Sequence, residues 1–393
     1  MKSLFRRAIR RARSHATALE HKRGAPIYLI SAAGQPNFGD EFITRSWLDW
    51  LGANHPRREV WLDCMEPGRA AHLFRDTHPR LRTTNTLWQT AHAGAPDDIV
   101  AAAQRMEKLV TGLGSPKADL GLRDLRRMHS LHLLGGGYMN TLWPKNLGIL
   151  AAMVAVKQHF GVPIHATGQG LLPYDERSLE VVSEQLRHFD SVEARDAPSA
   201  EAFGVHAGTD DAFLAFANRR RIYAPRDRLP QRMILVQGDM FAEEQSDDLQ
   251  QLVSTFVGAA DSPAGVGFAE AIPPEDARFA APHVDGGAQM FPFMRMWEEG
   301  FPATSGQEWL TSRFHFHLLA AAAGARGTIV NAQAGYYDVK HDLLRELGTG
   351  WTTQERLDGT VSAPTSTASF PDIARQLGGE KARLAHQLYP ESG

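Results

Sequence analysis

Short apolar runs alternate with longer amphipathic segments along most of the chain, and this alternation predicts strands that are each followed by a helix. The predicted strands are residues 27–30, 60–62, 130–134, 162–167, 191–196, 208–214, 233–239, 265–269 and 328–330. The predicted helices are residues 41–52, 97–111, 146–160, 179–189, 198–203, 246–257, 311–324, 341–347 and 371–388. Because strands and helices alternate through both halves, the sequence predicts an α/β fold with two doubly wound domains that face each other across a cleft.

Breaks in this periodicity set the expected domain boundaries. Residues 217–231 are rich in arginine and proline and show little periodicity, which indicates an interdomain linker. The expected divisions are a basic arm at 1–24, an N-terminal domain at 25–216, the linker at 217–231, a C-terminal domain at 232–368 and a C-terminal helix at 369–393.

The composition excludes several classes of protein. The 393 residues are 43% apolar and 22% charged, which is enough chain for two cores, and no long apolar window predicts a membrane span. No continuous apolar core follows the basic start, so no secretory signal is predicted. The single cysteine, Cys64, cannot form an internal disulfide, and no Cys/His set has zinc-ligand spacing, so no metal is expected. These features predict a cytoplasmic protein.

Positive charge is concentrated in the first 23 residues, where Glu20 is the one acid. Leu4, Phe5, Ala8 and Ile9 are interleaved with lysines and arginines. The arm could therefore be a basic amphipathic helix that contacts an anionic membrane surface at its inner face, or a disordered, solvated segment. The remaining chain is net acidic and carries no recognisable nucleic-acid module, so no nucleic-acid partner is expected.

Several predicted strands end in loops of small residues. In the first loop, Asn37 and Gly39 tolerate unusual backbone angles, and Asp40 can cap the next helix. Gly135–Gly137 and Gly168–Gly170 follow two later strands, and the absence of side chains there allows a close approach by a ligand or by a packed helix. Parallel strands bring such loops to the carboxyl edge of a sheet, where α/β proteins bind ligands. The first loop has neither the glycine spacing of a dinucleotide loop nor the Gly-Lys-Ser/Thr of a phosphate loop.

Residues 311–324 predict a helix whose start could bind an anion. Thr311 or Ser312 can cap its free N–H groups, and Gly324 can end it in a left-handed conformation. An arginine and two histidines occupy the first turn: Arg313, His315 and His317. Cationic side chains at a helix N-terminus suit a phosphate or carboxylate, and the alternative is that they only solvate the helix end.

The order of these segments is more specific than any one of them. The series is Asn37-Phe38-Gly39-Asp40-Glu41, Gly135–Gly137, Gly168-Gln169-Gly170 with Pro173, Arg195-Asp196 with Ser199, Asp211 with Phe213, Ser312-Arg313-Phe314-His315, and Lys340. It resembles the polysaccharide pyruvyl transferase family over about residues 27–347. The resemblance implies a GT-B-like fold of two Rossmann-type domains, with the last helix crossing back to the first domain.

The resemblance also implies an activity. A pyruvyl group would pass from phosphoenolpyruvate, the donor, to two hydroxyls of a sugar and form a cyclic ketal. The expected partners are phosphoenolpyruvate and a saccharide acceptor that could be lipid-linked, and no cofactor is expected. The acceptor sugar and its hydroxyl pair do not follow from the sequence.

Site residues follow from the same similarity. Arg195, Arg313 and His315 are expected to bind the donor's phosphate and carboxylate, for which the arginine fork is well suited. His315 is also the first candidate for proton transfer, because imidazole titrates near neutral pH. Asp40 and Glu41 are the second candidates; the alternatives are helix capping for Asp40 and a solvated first-turn position for Glu41.

The remaining expected contacts with substrate carry less chemistry. They are Phe314, Lys340, Asn37, Gly39, Gly136, Gly137 and Gln169. Phe314 stands where the family usually has leucine, which changes volume only, and Lys340 could instead be a surface lysine. For Arg195, the neighbouring Asp196 is the expected structural partner.

Two other functions fit the same pattern. A glycosyltransferase with a nucleotide-sugar donor can use this scaffold, because a fold does not determine a reaction. A non-catalytic sugar-binding relative is the other alternative, although its retention of Arg195, Arg313 and His315 would then have no chemical reason.

Overall fold

The computed structural model describes residues 24–237, 241, 245–331, 336–354, 357, 360–363 and 369–390. The basic arm expected at 1–24 lies, apart from Gly24, outside the described residues. The chain divides into two compact units. The first unit contains the chain up to Gln35, Ile43–Asp211 and the residues from Ala385 onward, and the second contains Pro36–Phe42 and Ala212–Leu384.

Within the described residues, the first unit is built on a seven-stranded parallel sheet. Its strands are β1 (Ile27–Ile30), β2 (Val60–Asp63), β3 (Leu81–Thr84), β4 (Ser130–Leu133), β5 (Ile164–Gln169), β6 (Ser191–Ala194) and β7 (His206–Ala207). Their order is β3-β2-β1-β4-β5-β6-β7, so the direction of winding reverses between β1 and β4. Every residue of β1 is buried, as expected for a parallel strand that is covered on both faces.

Helices connect these strands and supply the core. They are α1 (Phe38–Asn54), α2 (Pro67–Leu73), α3 (Thr86–His92), α4 (Ile99–Gly112), α5 (Asp119–Leu125), α6 (Leu147–Phe160), α7 (Glu176–Leu186) and α8 (Ala197–Phe203). Helix α6 is apolar nearly all round, and every residue from Leu147 to Val156 is buried. It packs against α4, and a helix of this composition is stable only in such an interior position.

The second unit contains a six-stranded parallel sheet in the described part of the chain. Its strands are β8 (Arg232–Leu235), β9 (Val266–Ala269), β10 (Gln289–Phe291), β11 (Glu308–Thr311), β12 (Arg326–Val330) and β13 (Thr352–Gln354). Its helices are α9 (Ser246–Gly258), α10 (Ala281–Asp285), α11 (Phe293–Glu299), α12 (Phe314–Ala322), α13 (Tyr336–Glu346) and α14 (Phe370–Leu388). The strand order β10-β9-β8-β11-β12-β13 again reverses once, between β8 and β11. The prediction of an α/β chain with two Rossmann-type sheets is confirmed.

No helix among the described residues is long and apolar enough to cross a membrane. Short 3-10 helices complete the connections: Pro144–Asn146, Asp211–Ala217, Arg226–Arg228, Pro263–Gly265 and Glu275–Ala277. The longest helix of the described residues, α14, is amphipathic, with Phe370 and Ala374 buried along one stripe and Asp372 and Arg375 exposed.

The division between the units differs from the expected boundaries. Pro36–Phe42, which we expected in the N-terminal domain, groups with the second unit. Residues 217–231, expected as a linker, also group with the second unit, and Tyr223 pairs there with Phe301. Helix α14 begins in the second unit and ends in the first, where Tyr389 follows it.

The predicted strand at 208–214 is wrong. Strand β7 ends at Ala207, and Asp211–Ala217 form a 3-10 helix. The apolar residues Ala212, Phe213 and Leu214 are buried as the pattern required, but by a helical turn. A short apolar run does not distinguish the two conformations, and the hydrogen bonds of Asp211 described below select the turn.

The predicted start of the helix at 311 is also wrong. Thr311 is the last residue of β11, and α12 begins at Phe314 with Arg313 before it. The hydroxyl of Thr311 accepts from the backbone N–H of Arg313, and that of Ser312 accepts from the backbone N–H of Gln237. Both hydroxyls therefore stabilise the end of the strand, and neither caps the helix.

Candidate active site

The segment Pro36–Phe42 is fixed to the second unit by one aromatic side chain. Phe38 is 2% exposed, and its ring contacts five other rings within that unit. These rings belong to Phe42, Phe293, Trp297, Phe301 and Phe316, with centroid separations of 5.5 to 6.1 Å. The backbone N–H of Phe38 also donates to the carbonyl of Ala271 at 3.1 Å. Burial of so many aromatic groups explains why this segment packs with the second unit, although it lies in the first half of the sequence.

The same segment begins α1, and Asn37 caps it. Its side-chain oxygen accepts from the N–H of Gly39 at 3.3 Å, and its amide group donates to Asp40 at 2.7 Å. The capping role that we considered for Asp40 thus belongs to Asn37, and Asp40 is only half-buried. Glu41, for which we considered a solvated position, is fully buried.

The imidazole of His315 lies directly against Gly39. A Cβ atom added to Gly39 would stand 2.0 Å from Nδ1 and 2.8 Å from Cε1 of His315. Only glycine therefore allows the start of α1 to approach this ring. His315 is half-buried and also contacts the ring of Phe314, at 5.0 Å between centroids. Two motifs that are distant in the sequence meet at this contact.

Arg313 stands where the order of the second sheet reverses. Its Nη2 donates to Oδ1 of the buried Asp276 at 2.8 Å, and 13% of its side chain is exposed. With its amide oriented to satisfy both neighbours, Gln237 accepts from Nη1 of Arg313 at 3.0 Å and donates to the carbonyl oxygen of Ser312 at 3.2 Å. The guanidinium is thus held at the carboxyl ends of β8 and β11, where open α/β sheets bind ligands.

Asp276 connects this arginine to the loop beneath Phe38. Its Oδ2 accepts from the N–H groups of Ala271 and Ile272 at 3.0 and 2.8 Å. Burial raises the pKa of the Asp276 carboxyl, and the neighbouring Arg313 opposes that shift. Because Ala271 also accepts from Phe38, one short loop positions both Arg313 and the segment that carries Gly39.

A buried pair of histidines, His317 and His341, forms a hydrogen-bonded chain that ends at the carbonyl oxygen of Ser312. Nε2 of His341 lies 3.2 Å from the carbonyl oxygen of Ser312, and Nδ1 of His341 lies 3.2 Å from Nδ1 of His317. Nε2 of His317 lies 2.9 Å from the hydroxyl of Thr349. A carbonyl oxygen can only accept, so the direction of the chain is fixed: Thr349 donates to His317, His317 to His341 and His341 to Ser312. His317 is fully buried, so its expected place at an anion site is wrong.

Stability of the second unit is expected to fall as the pH is lowered. Burial, with smaller contributions from His341 and Arg345, lowers the pKa of His317 well below its ordinary value. Below about pH 6.5 the unfolded chain therefore binds a proton that the folded chain excludes, and the free energy of unfolding decreases by up to about 1.4 kcal/mol per pH unit. Denaturant unfolding between about pH 7 and 5 should show this slope, and His317→Gln should reduce it. An unchanged slope in His317→Gln would contradict this assignment.

In the first unit, the Asp211 carboxylate accepts hydrogen bonds from α1, from the loop that follows β4 and from β5. Its Oδ2 accepts from the indole of Trp47 at 2.8 Å, from the N–H of Gly135 at 2.9 Å and from the hydroxyl of Thr167 at 2.7 Å. A Cβ on Gly135 would stand 2.9 Å from the carbonyl of Gly168 and 3.0 Å from Cβ of Asp211. The atoms that approach Gly135, the first glycine of the triplet, therefore belong to Gly168 and Asp211 of the protein itself.

The hydrogen bonds of Asp211 extend to the last residues of the chain. The hydroxyl of Thr167 donates to Asp211, so it accepts from Nε2 of His132 at 2.9 Å. Nδ1 of His132 then accepts from the hydroxyl of Tyr389 at 3.0 Å. Burial raises the pKa of Tyr389, which keeps this hydroxyl protonated. The chain that follows α14 is thereby connected to the centre of the first sheet.

Arg195 makes a buried ion pair within the first unit. Its Nη1 lies 2.9 Å from Oδ2 of Asp210, and the two side chains are 3% and 0% exposed. The guanidinium covers Gly170, where a Cβ would stand 2.7 Å from Nε. Asp196, which we expected to pair with Arg195, instead caps α8 by accepting from the N–H of Ser199. Arg195 is thus nearly fully buried and paired with Asp210, and its expected contact with a donor anion stays a prediction.

The other expected contact residues have mixed surroundings. Gln169 is 1% exposed, and its amide N–H groups donate to the carbonyls of residues 133, 134 and 167, so it stabilises the loop. Gly136 pairs with Gln169, and the carbonyl of Gly137 accepts from Asn140, so both also belong to the loop framework. Phe314 is buried and Lys340 lies half-buried in α13.

Sequence reasoning missed Asp276, Gln237 and Asp210. Asp276 and Asp210 partner the two arginines, and Gln237 orients Arg313. Gln237 lies near the end of the predicted strand at 233–239, and that position was a usable signal. Asp276 lies in a proline-rich loop with no periodicity, so nothing in the sequence marked it.

Solved structures of similar shape share the fold. A protein assigned as a UDP-N-acetylglucosamine 2-epimerase from Listeria monocytogenes has a TM-score of 0.51 at 10% identity, with 94% of this chain and 92% of that chain covered. A glycosyltransferase from Rickettsia africae ESF-5 also has a TM-score of 0.51 at 10% identity, with 93% and 98% covered. At such identities the likeness shows the fold alone, and that fold is of the GT-B type.

Sequence comparison is more specific about the family. A search of curated proteins found no significant match. A model of the polysaccharide pyruvyl transferase family matches residues 37–256, which is more than half of the chain and includes the segment of Gly39 and the loops around Asp211. The Arg313–His315 segment lies beyond the matched residues. On the strength of that match, this chain belongs to the polysaccharide pyruvyl transferase family.

Proposed function

We propose that this member of the family transfers a pyruvyl group from phosphoenolpyruvate to two hydroxyls of a saccharide and forms a cyclic ketal. The observation that carries the proposal is the contact of Gly39 with His315 beside the fixed guanidinium of Arg313. These three residues belong to two of the motifs on which the family resemblance rests, and all three lie in the second unit.

Recognition of the donor is assigned to Arg313 and to the start of α12. Phosphoenolpyruvate carries a phosphate and a carboxylate on a small carbon skeleton, so its site needs concentrated positive charge. The planar guanidinium can pair two oxygens of either anion, and the first N–H groups of α12 add donors that point out of the helix end. Asp276 and Gln237 hold the guanidinium before the donor arrives, which lowers the entropy lost on binding.

His315 is the candidate for proton transfer. The reaction adds a proton to the methylene carbon of the donor and leaves positive charge at C2. One acceptor hydroxyl forms a C–O bond to C2, the C2–O bond to phosphate breaks, and a second hydroxyl closes the ketal. The two hydroxyl protons end on the new methyl group and on phosphate, so the equation balances. His315 is half-buried at the start of α12 and lies against Gly39. Asp40, which directly follows Gly39, is the acidic candidate for the second proton transfer.

The direct test is phosphate release from phosphoenolpyruvate across a panel of acceptor saccharides, with the product identified by mass spectrometry. We expect release that depends on both substrates and a product that carries one pyruvyl ketal. Calorimetry with UDP-sugars tests the second candidate, a nucleotide-sugar glycosyltransferase, which the shared fold supports. Tight binding of a UDP-sugar without any response to phosphoenolpyruvate would favour that candidate.

Substitution of Arg313 by lysine is expected to weaken phosphoenolpyruvate binding by about tenfold or more, because a bidentate charged contact is lost. Lysine keeps a cation beside the buried Asp276, so the fold should survive where alanine would leave that carboxylate unpaired. Arg326→Lys is the matched control, since Arg326 is 57% exposed and pairs with Glu308 at the start of β12. Equal donor affinity in both variants would remove Arg313 from the donor site.

A further inference from the structure

A second concave site of the second unit is lined by arginines. The cavity has a volume of about 370 Å³ and lies where residues 221–229 meet the end of β10 and helix α11. Arg221, Arg228 and Arg295 line it together with the apolar side chains of Ala224, Leu229 and Phe291. Neither Arg313 nor any residue of Pro36–Phe42 lines it, so it is distinct from the proposed donor site.

Two of these arginines form no ion pair within the described residues. In the part of the chain that the structure describes, Arg221 and Arg228 make no hydrogen bond or ion pair, and both are exposed at the cavity. Most arginines of the same unit differ from them: Arg232 and Arg326 share Glu308, and Arg313 pairs with Asp276. Like charges placed around one concavity repel each other, and an anion bound between them removes that repulsion.

The third arginine is held rigidly. Nε of Arg295 lies 3.2 Å from Glu299, Nη1 donates to the carbonyl of Met290 at 2.9 Å, and the guanidinium lies 4.2 Å from the centroid of Phe291. Within the described residues, these contacts leave Nη2 as the guanidinium nitrogen of Arg295 that has no hydrogen-bond partner. Among the described residues, Glu299 is the one acid that lines the cavity, against three arginines, so the site favours a ligand of negative charge.

We propose that this arginine cavity binds a phosphate or diphosphate group that is attached to an uncharged organic body. Guanidinium groups pair with phosphate oxygens in a fixed fork, and three of them match the oxygens of a diphosphate. Ala224, Leu229 and Phe291 provide an apolar wall for the remainder of the ligand, and the volume falls in the range of small-molecule sites. This ligand chemistry is shared by soluble sugar phosphates and by phosphate headgroups of lipids.

The test is calorimetric titration of the full chain with inorganic pyrophosphate and with glucose 1-phosphate. Arg221→Ala/Arg228→Ala should weaken pyrophosphate binding by about tenfold or more. The matched control is Arg219→Ala/Arg226→Ala, which removes the same charge from exposed arginines of the same segment that do not line the cavity. It should change the affinity by less than about threefold, because long-range attraction between exposed charges is screened. Equal losses in both double variants, or no binding by the parent chain at millimolar pyrophosphate, would overturn the proposal.

Pyrophosphate could also enter the proposed donor site, so Arg313→Lys is titrated in parallel. Retention of pyrophosphate binding in Arg313→Lys supports a separate arginine cavity, whereas its loss there places the ligand at Arg313 and overturns the inference. The cavity does not depend on the proposed reaction, so it stands even if phosphoenolpyruvate proves not to be the donor. Binding of glucose 1-phosphate supports a soluble ligand. A lipid headgroup is supported if the protein sediments with vesicles that contain phosphatidic acid and Arg221→Ala/Arg228→Ala abolishes that sedimentation.

Discussion

Gly39→Ala is expected to lower kcat by about a hundredfold or more while the protein stays folded. The added methyl group would stand 2.0 Å from Nδ1 of His315, so the imidazole must turn away from the position where it can transfer a proton. The backbone at Gly39 lies within α1 and is not in the left-handed region, so alanine fits the helix and improves its propensity. Steady-state kinetics with phosphoenolpyruvate and the best acceptor, together with a thermal melt, measure both effects.

The matched control is Gly68→Ala. Gly68 occupies the second position of α2, as Gly39 does in α1, and a Cβ there meets nothing within 4 Å. It should therefore leave kcat unchanged. A Gly39→Ala enzyme with normal kcat would show that the His315 ring can move without loss, and His315 could then no longer be the proton-transfer group.

Asp211→Ala is expected to destabilise the first unit by about 4 kcal/mol or more. It removes the acceptor of three buried hydrogen bonds, from Trp47, Gly135 and Thr167, and each unsatisfied buried donor costs about 1–3 kcal/mol. These costs are not additive, because the three donors share one acceptor and belong to one network. Denaturant unfolding followed by tryptophan fluorescence measures this loss, and the indole of Trp47 contributes to that signal.

Two further variants separate the network from a general loss of charge. Asp196→Ala removes a carboxylate that accepts one backbone N–H at the start of α8, and it should cost only about 1 kcal/mol. Asp211→Asn keeps one acceptor oxygen and should lie between the two alanine variants. If Asp211→Ala lowered the free energy of unfolding no more than Asp196→Ala does, the three hydrogen bonds to Asp211 would not contribute measurably to stability. Because the chain contains two units, a transition with two phases is expected, and the first unit's phase is the one to compare.

Much of the fold was predictable from local pattern. The buried runs at 27–30 and 266–269 are strands because a parallel strand covered on both faces needs continuous apolar residues. Their alternation with amphipathic helices led to two Rossmann-type sheets without any knowledge of distant contacts. The run at 208–214 shows the limit of that reasoning, since a short apolar segment is compatible with either a strand or a 3-10 turn.

The partners of the site residues were less predictable. Asp196 is adjacent to Arg195 in the sequence, yet Asp210 forms the ion pair, because the end of a strand points neighbouring side chains in opposite directions. For Arg313, no local signal identified Asp276, which lies in an irregular loop. Glu41 was a candidate for proton transfer with a solvated position as the alternative, and it is buried, one helical turn after the buried Phe38.

The sequence by itself determined which groups are available: the glycine at position 39, the arginine and histidine before and within α12, and the strand-end positions that bring them to the carboxyl edge of a sheet. Tertiary structure alone decided that Pro36–Phe42 joins the second unit, so that Gly39 meets His315. The physical reason is that burial of the Phe38 ring among five aromatic side chains is a long-range effect, and periodicity and turn chemistry contain no information about it.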